Sequence, residues 1–81
     1  MAQVKSVELD DNEDIEFVTV KLTTAEAAYI ATFTGRQTGE TAEQIMTGGA
    51  EASRHLYEAM TGGIFNRWYD GGVGEWVADR S

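Results

Sequence analysis

The chain has no cysteine, no proline and a single histidine, and only six of its 81 residues are lysine or arginine. Without cysteine, neither a disulfide framework nor a thiolate metal site can supplement the core, and nothing points to an oxidising compartment. No Pro-rich or Ser-rich linker, low-complexity segment or repeat interrupts the chain. The doublets Gly48-Gly49, Gly62-Gly63 and Gly71-Gly72 follow no period. The chain therefore reads as one small domain over residues 1–81, with residues 1–14 partly flexible. No stretch approaches the roughly 18 apolar residues of a membrane span, and Met1 to Ser6 lack the apolar run of a signal peptide. The expected location is the cytoplasm, with no membrane partner.

The shortage of cations leaves a formal charge of -8. Lys5, Lys21, Arg36, Arg54, Arg67 and Arg80 are scattered singly, so direct nucleic-acid binding, which needs gathered positive charge, is not expected. The usual catalytic and ligand-binding patterns are missing too. His55 is lone, and no orienting carboxylate or second ligand cluster can be placed beside it from spacing, which leaves it a structural or surface residue. The run Asp10-Asp11-Asn12-Glu13-Asp14 lacks the spacing, central glycine and terminal glutamate of a calcium loop and reads as a solvated turn. The glycine doublets match neither phosphate-binding fingerprint. The expectation is a non-enzymatic protein with no cofactor and no metal.

What is present suits a folded α+β domain. Hydrophobic residues make up 42% and aromatics 10%, which is globular composition. A chain this short buries only about 60% of its unfolded surface, and its net stability should be roughly 4–12 kcal/mol. Ile15-Glu16-Phe17-Val18-Thr19-Val20-Lys21-Leu22 is a β-branched, aromatic run and reads as a strand. Alternation places Val18, Val20 and Leu22 on one face, the expected core face, and Ile15, Phe17, Thr19 and Lys21 on the other. Residues 3–9 are the candidate partner strand of an N-terminal hairpin. Two to three short helices follow. Thr23 and Glu26 have capping-box spacing and open the first helix, which Gly35 is expected to end; Thr41 and Gln44 repeat the spacing and open a second helical region. Gly48-Gly49 either divides residues 41–61 into two helices or kinks one, and Gly62-Gly63 is expected to stop it. Residues 64–79 read as an aromatic hairpin around a glycine-rich turn, with a helical turn over 64–69 as the competing assignment.

The feature above background is the aromatic cluster Phe65, Trp68, Tyr69 and Trp76, with Arg67 among them. Such residues are enriched in interface hot spots and in base-stacking platforms. They are the candidate partner-binding residues, together with the acidic run Asp10, Asp11, Glu13 and Asp14.

The succession Val18-Thr19-Val20-Lys21-Leu22-Thr23-Thr24-Ala25-Glu26-Ala27, then Thr34-Gly35 and Gly39, then Arg54-His55-Leu56-Tyr57-Glu58-Ala59-Met60 resembles small accessory proteins encoded by tailed bacteriophages, in which a strand ending in LTxxEA leads into helices. The resemblance covers residues 18–60. It implies a cytoplasmic accessory role directed at a host protein, and it carries over no catalytic residue. Two function classes follow. The first is a factor that binds and modulates a host protein, with the aromatic tail as anchor, in its sharpest form as a DNA mimic whose acidic residues imitate phosphates. The alternative is a small-ligand or nucleotide binder in which Trp68, Tyr69 or Trp76 stacks a base and Arg67 or Arg54 meets a phosphate across an oligomer interface. A homo-oligomer is compatible with either, since self-association would cover leftover aromatics.

Overall fold

The computed structural model describes residues 1–80. It is α+β: an antiparallel hairpin of β1 (Gln3–Leu9) and β2 (Ile15–Lys21) precedes a helical body. That body comprises α1 (Thr24–Gly35), α2 (Gly39–Ile45), α3 (Gly49–Met60), a π-helical turn (Thr61–Phe65), the single turn α4 (Asn66–Trp68) and α5 (Gly72–Ala78).

Local chemistry explains the boundaries. Thr23 caps α1 as its spacing predicts: the Glu26 amide donates to Thr23 Oγ1 at 3.2 Å, and the Thr23 amide donates to Glu26 Oε1 at 2.8 Å. The helix runs through Gly35 and ends at Arg36, which stays right-handed, so Gly35 is not the left-handed stop expected of it. The second capping box lies one turn earlier than expected. Thr38 is the N-cap of α2, and Thr41 is the reciprocal third residue, its Oγ1 accepting the Thr38 amide at 2.9 Å. Between α2 and α3 the chain breaks at Met46 to Gly48, where Gly48 takes φ +85°. A left-handed turn there is what glycine tolerates best, and it resolves residues 41–61 into two helices.

Gly62-Gly63 does not stop the third helix. The doublet lies in the π-helical turn, which continues α3 without a break and delivers Phe65 to the interior. Residues 64–68 and 72–78 are likewise helical, with a break at Tyr69 to Gly71, so the expected C-terminal hairpin is replaced by α4 and α5. The physical reason is burial. Helical spacing stacks Tyr69 on Phe65 four residues earlier, with ring centroids 5.8 Å apart, while Trp76 meets the Phe65 ring edge-on at 6.1 Å. This aromatic set packs on Ala27 and Ala28 of α1, with Met60, Ile64, Val73 and Val77 around it. The small residues of α1 let the aromatic rings approach closely. Phe65 is the largest fully buried side chain among the described residues.

The hairpin takes no part in this core. Neither strand makes more than marginal contact with a helix. The α-carbon radius of gyration is 14.3 Å, against about 12 Å for a compact chain of this length. The strand face expected to be core, Val18 and Val20, is exposed.

Candidate interaction surfaces

Two irregularities in the hairpin decide what its faces carry. The register pairs Val4 with Val20 and Ser6 with Thr19, leaving Lys5 as an extra residue; it pairs Glu8 with Phe17 and Leu9 with Ile15, leaving Glu16 as another. A bulge shifts the alternation by one residue. Paired residues point to the same face, so Val4, Val7, Leu9, Ile15, Val18 and Val20 all lie on one face. Gln3, Ser6, Glu8, Phe17, Thr19 and Lys21 occupy the other. Ile15 thus joins the face of Val18 and Val20 rather than that of Phe17, as uninterrupted alternation had suggested. All six aliphatic side chains are exposed, from 45% at Val7 to 66% at Val4 and Ile15.

A five-residue turn closes the hairpin. Asp10 Oδ1 accepts the amides of Asn12 at 2.8 Å and Asp14 at 3.0 Å, and Glu13 adopts φ 65°. The turn holds Asp11, Glu13 and Asp14 outward with Asp10 bracing them, so the hairpin tip is strongly negative. At the other end one carboxylate joins strand to helix. Glu26 Oε2 accepts the Ala2 amide at 2.8 Å while Oε1 caps α1, and the N-terminal ammonium stands 3.7 Å away. Hydrogen bonding, first from the Thr23 backbone, holds the Glu26 carboxyl below its ordinary value of 4.5.

The helical body has its own apolar surface. Tyr29, Ile30 and Phe33 of α1, Ala42 and Ile45 of α2 with Met46, and Leu56 of α3 surround an open groove of about 240 Å³ whose lining contains no charged residue. Tyr29 and Phe33 stack on each other with centroids 6.2 Å apart, and both are exposed, as are Ile45, Met46 and Leu56. The corner between α2 and α3 that walls the groove is clamped by Glu43, which accepts the amides of Ala50 at 2.7 Å and Gly48 at 3.1 Å. The Ala50 bond first, then the Gly48 bond, lowers the Glu43 carboxyl below 4.5. A carboxyl lowered by folding stabilises the native state above its unfolded value, and that contribution is lost as the pH falls through the folded value. The α2–α3 corner should therefore be firm near neutrality and loosen in acid.

The aromatic tail is not one surface. Phe65 and Trp76 are core, Tyr69 is half-buried against Phe65, and the Trp76 ring is covered by the Arg80 guanidinium, 3.6 Å from its centroid. Trp68 alone of the four stands free, at 74% exposure, with Arg67 exposed beside it. The residues nominated for base stacking therefore do not converge. A second concavity, about 710 Å³, contains Arg54 and Tyr57 in its lining but none of Trp68, Tyr69 and Trp76. Arg54 itself faces Glu58 at 3.5 Å, and His55 is an exposed helix residue 3.8 Å from Glu51.

Acidic residues are unevenly placed. Six flank or form the hairpin tip, at positions 8, 10, 11, 13, 14 and 16, and the other eight are distributed over the helical body. Glu26, Glu43 and Glu75 are engaged with backbone amides, Glu75 through Gly71 at 2.6 Å. Among the described residues no cluster of histidine, aspartate and glutamate could hold a metal ion, and no helix is long and apolar enough to cross a membrane.

Both apolar surfaces escaped sequence reasoning. The hairpin face left a trace, since Val4, Val7 and Leu9 repeat the same three-then-two spacing as Ile15, Val18 and Val20. Each three-residue gap contains a bulge. The groove left less, because its residues come from three helices.

No family model matches the chain, and no curated protein or solved structure matches it at a significant level.

Proposed function

We propose that this is a small acidic accessory protein that works by protein–protein contact in the cytoplasm and is not an enzyme. Its partner, a host protein on the reading that the phage-like sequence pattern supports, inserts an apolar segment into the groove between α1, α2 and α3. The observation that carries this is the grouping of exposed Tyr29, Phe33, Ile45, Met46 and Leu56 around an uncharged groove. Exposed apolar clusters of this kind on a small soluble domain mark binding sites. The chain's charge of -8 favours a segment flanked by lysine or arginine, because complementary charge steers encounter and suppresses wrong partners. DNA mimicry would rest on the six acidic residues gathered at the hairpin tip, and it ranks below the groove because the other eight are spread over the helical body. A nucleotide site gains none from aromatics that cover one another.

Capture from a bacterial lysate with the tagged chain tests the proposal. The parent should recover a discrete host protein, and Phe33→Asp/Leu56→Asp should lose it while keeping its helical circular dichroism. Equal recovery by that variant, with loss on Trp68→Ala instead, would return the binding site to the aromatic tail. An empty capture would count against host binding altogether.

A further inference from the structure

We infer that the apolar hairpin face is closed by the same face of a second copy of this chain, with the two hairpins antiparallel so that the tip of each lies over the base of the other. This is independent of the groove reading, since the two surfaces share no residue.

The first argument is stability. A lone two-stranded hairpin is at best marginal in water, yet this one lies clear of the helical body with six aliphatic side chains exposed. Both bulges serve to gather those side chains onto one face, which would be an expensive arrangement for a hairpin that faced water on both sides. The second is area. The six side chains leave on the order of 500 Å² open, in the range of functional patches. Complete coverage of both faces would bury at most about 1,000 Å², the lower bound for a specific interface.

Charge then sets the orientation. The tip carries Asp10, Asp11, Glu13 and Asp14, while Lys5 and Lys21 stand at the base end of the strands. A parallel arrangement would bring two acidic tips together. The antiparallel one keeps the two acidic tips apart and carries each toward the base of the partner's strands, where Lys5 lies, Lys21 being on the outer face, and it is a two-fold, self-complementary geometry. Shape agrees with this. Val20 leads into a cleft of about 380 Å³ whose lining includes Leu22, Ala27, Met60 and Ile64. In the antiparallel arrangement Leu9 and Ile15, at the apolar end of the tip, are the side chains that fill that cleft on the partner.

Light scattering over micromolar to millimolar concentration should show a mass moving toward twice the 8.9 kDa of one chain. Val7→Lys/Val18→Lys should weaken association by ~100-fold or more, since a charge buried without a partner costs several kcal/mol and each 1.4 kcal/mol is tenfold. The helical body does not rest on the hairpin, so helical circular dichroism should be unchanged and will show that the variant remains folded. Because the chain lacks cysteine, disulfide trapping reports orientation directly. Ile15→Cys/Met60→Cys should form covalent dimers on mild oxidation, and Ile15→Cys alone should not. A single-chain mass at every concentration would overturn the inference and leave the face to a strand or surface of another protein. A dimer trapped by Ile15→Cys alone, or one indifferent to Val7→Lys/Val18→Lys, would equally overturn it, in favour of tip-to-tip or edge-to-edge pairing.

Discussion

Phe65→Ala is expected to remove a large share of the stability of the domain. The side chain is fully buried, stacks on Tyr69, meets the edge of Trp76 and sits on the alanines of α1. Truncating a buried phenylalanine costs about 3–5 kcal/mol through lost transfer energy and the cavity left behind. A domain of this size has roughly 4–12 kcal/mol in total, so the unfolding midpoint should drop steeply. Few alternatives can compensate, because among the described residues the other buried apolar side chains are four alanines and Trp76. Urea titration followed by circular dichroism and tryptophan fluorescence measures the effect, with Trp68→Ala as the control. Trp68 is exposed, and its removal should change stability by no more than about 0.5 kcal/mol. Similar midpoints for the two variants would show that the aromatic cluster is not the core.

The second large effect concerns a hydrogen atom's worth of space. A Cβ at Gly49 would overlap the carbonyl oxygen of Ala42 and stand 2.8 Å from its carbon. These are backbone atoms, so no side chain can swing away, and α2 must move relative to α3. Gly49→Ala should therefore cost at least the upper end of the 1–3 kcal/mol typical of overpacking. It should also disturb the groove, since Ala42 and Gly49 both line it. Gly62→Ala is the matched control. Nothing lies within 4 Å of a Cβ built there, and replacing a helical glycine by alanine stabilises by about 0.4–1 kcal/mol through the unfolded chain. Opposite signs for the two variants in thermal unfolding are the expected result. Equal tolerance would mean that α2 and α3 are not packed as closely as described.

How much of this was legible in the sequence depended on whether the signal was local. The two-stranded start and the capping box of Thr23 and Glu26 could be read directly, because each rests on neighbouring residues. The α2 boundary was missed by one turn because Thr38 and Thr41 both offer a capping hydroxyl, and local spacing does not say which is the cap. The tail was misread for a related reason. Ile64, Phe65, Trp68 and Tyr69 satisfy strand propensity and helical spacing together, and only the alanine surface of α1, some forty residues earlier, decides for the helix. Gly62-Gly63 misled because glycine ends helices in most settings, whereas here it lies within a widened turn that carries Phe65 inward.

The interaction surfaces were harder still. Alternation assigned Val18 and Val20 correctly to one side of β2, but the core they were expected to join is elsewhere. The bulges at Lys5 and Glu16 added Ile15 to that side and made it uniformly aliphatic. Aromatic density pointed to Phe65 and Trp76, which serve the interior. Tyr29 and Phe33, which line the groove, are four residues apart and so share a helix face, but spacing alone does not say whether that face is covered. Large side chains in a short chain go first to the core, so an aromatic cluster in sequence is a poor guide to the surface.

On the dimer proposal, the hairpin is held by another copy of the chain rather than by its own helices. Hydrogen exchange of the backbone amides at two protein concentrations tests it most directly. Slow exchange in α1 and α3 at both concentrations, with amides of β1 and β2 protected only at the higher one, is the predicted result. Strand amides that exchange equally at both concentrations, whether fast or slow, would contradict it.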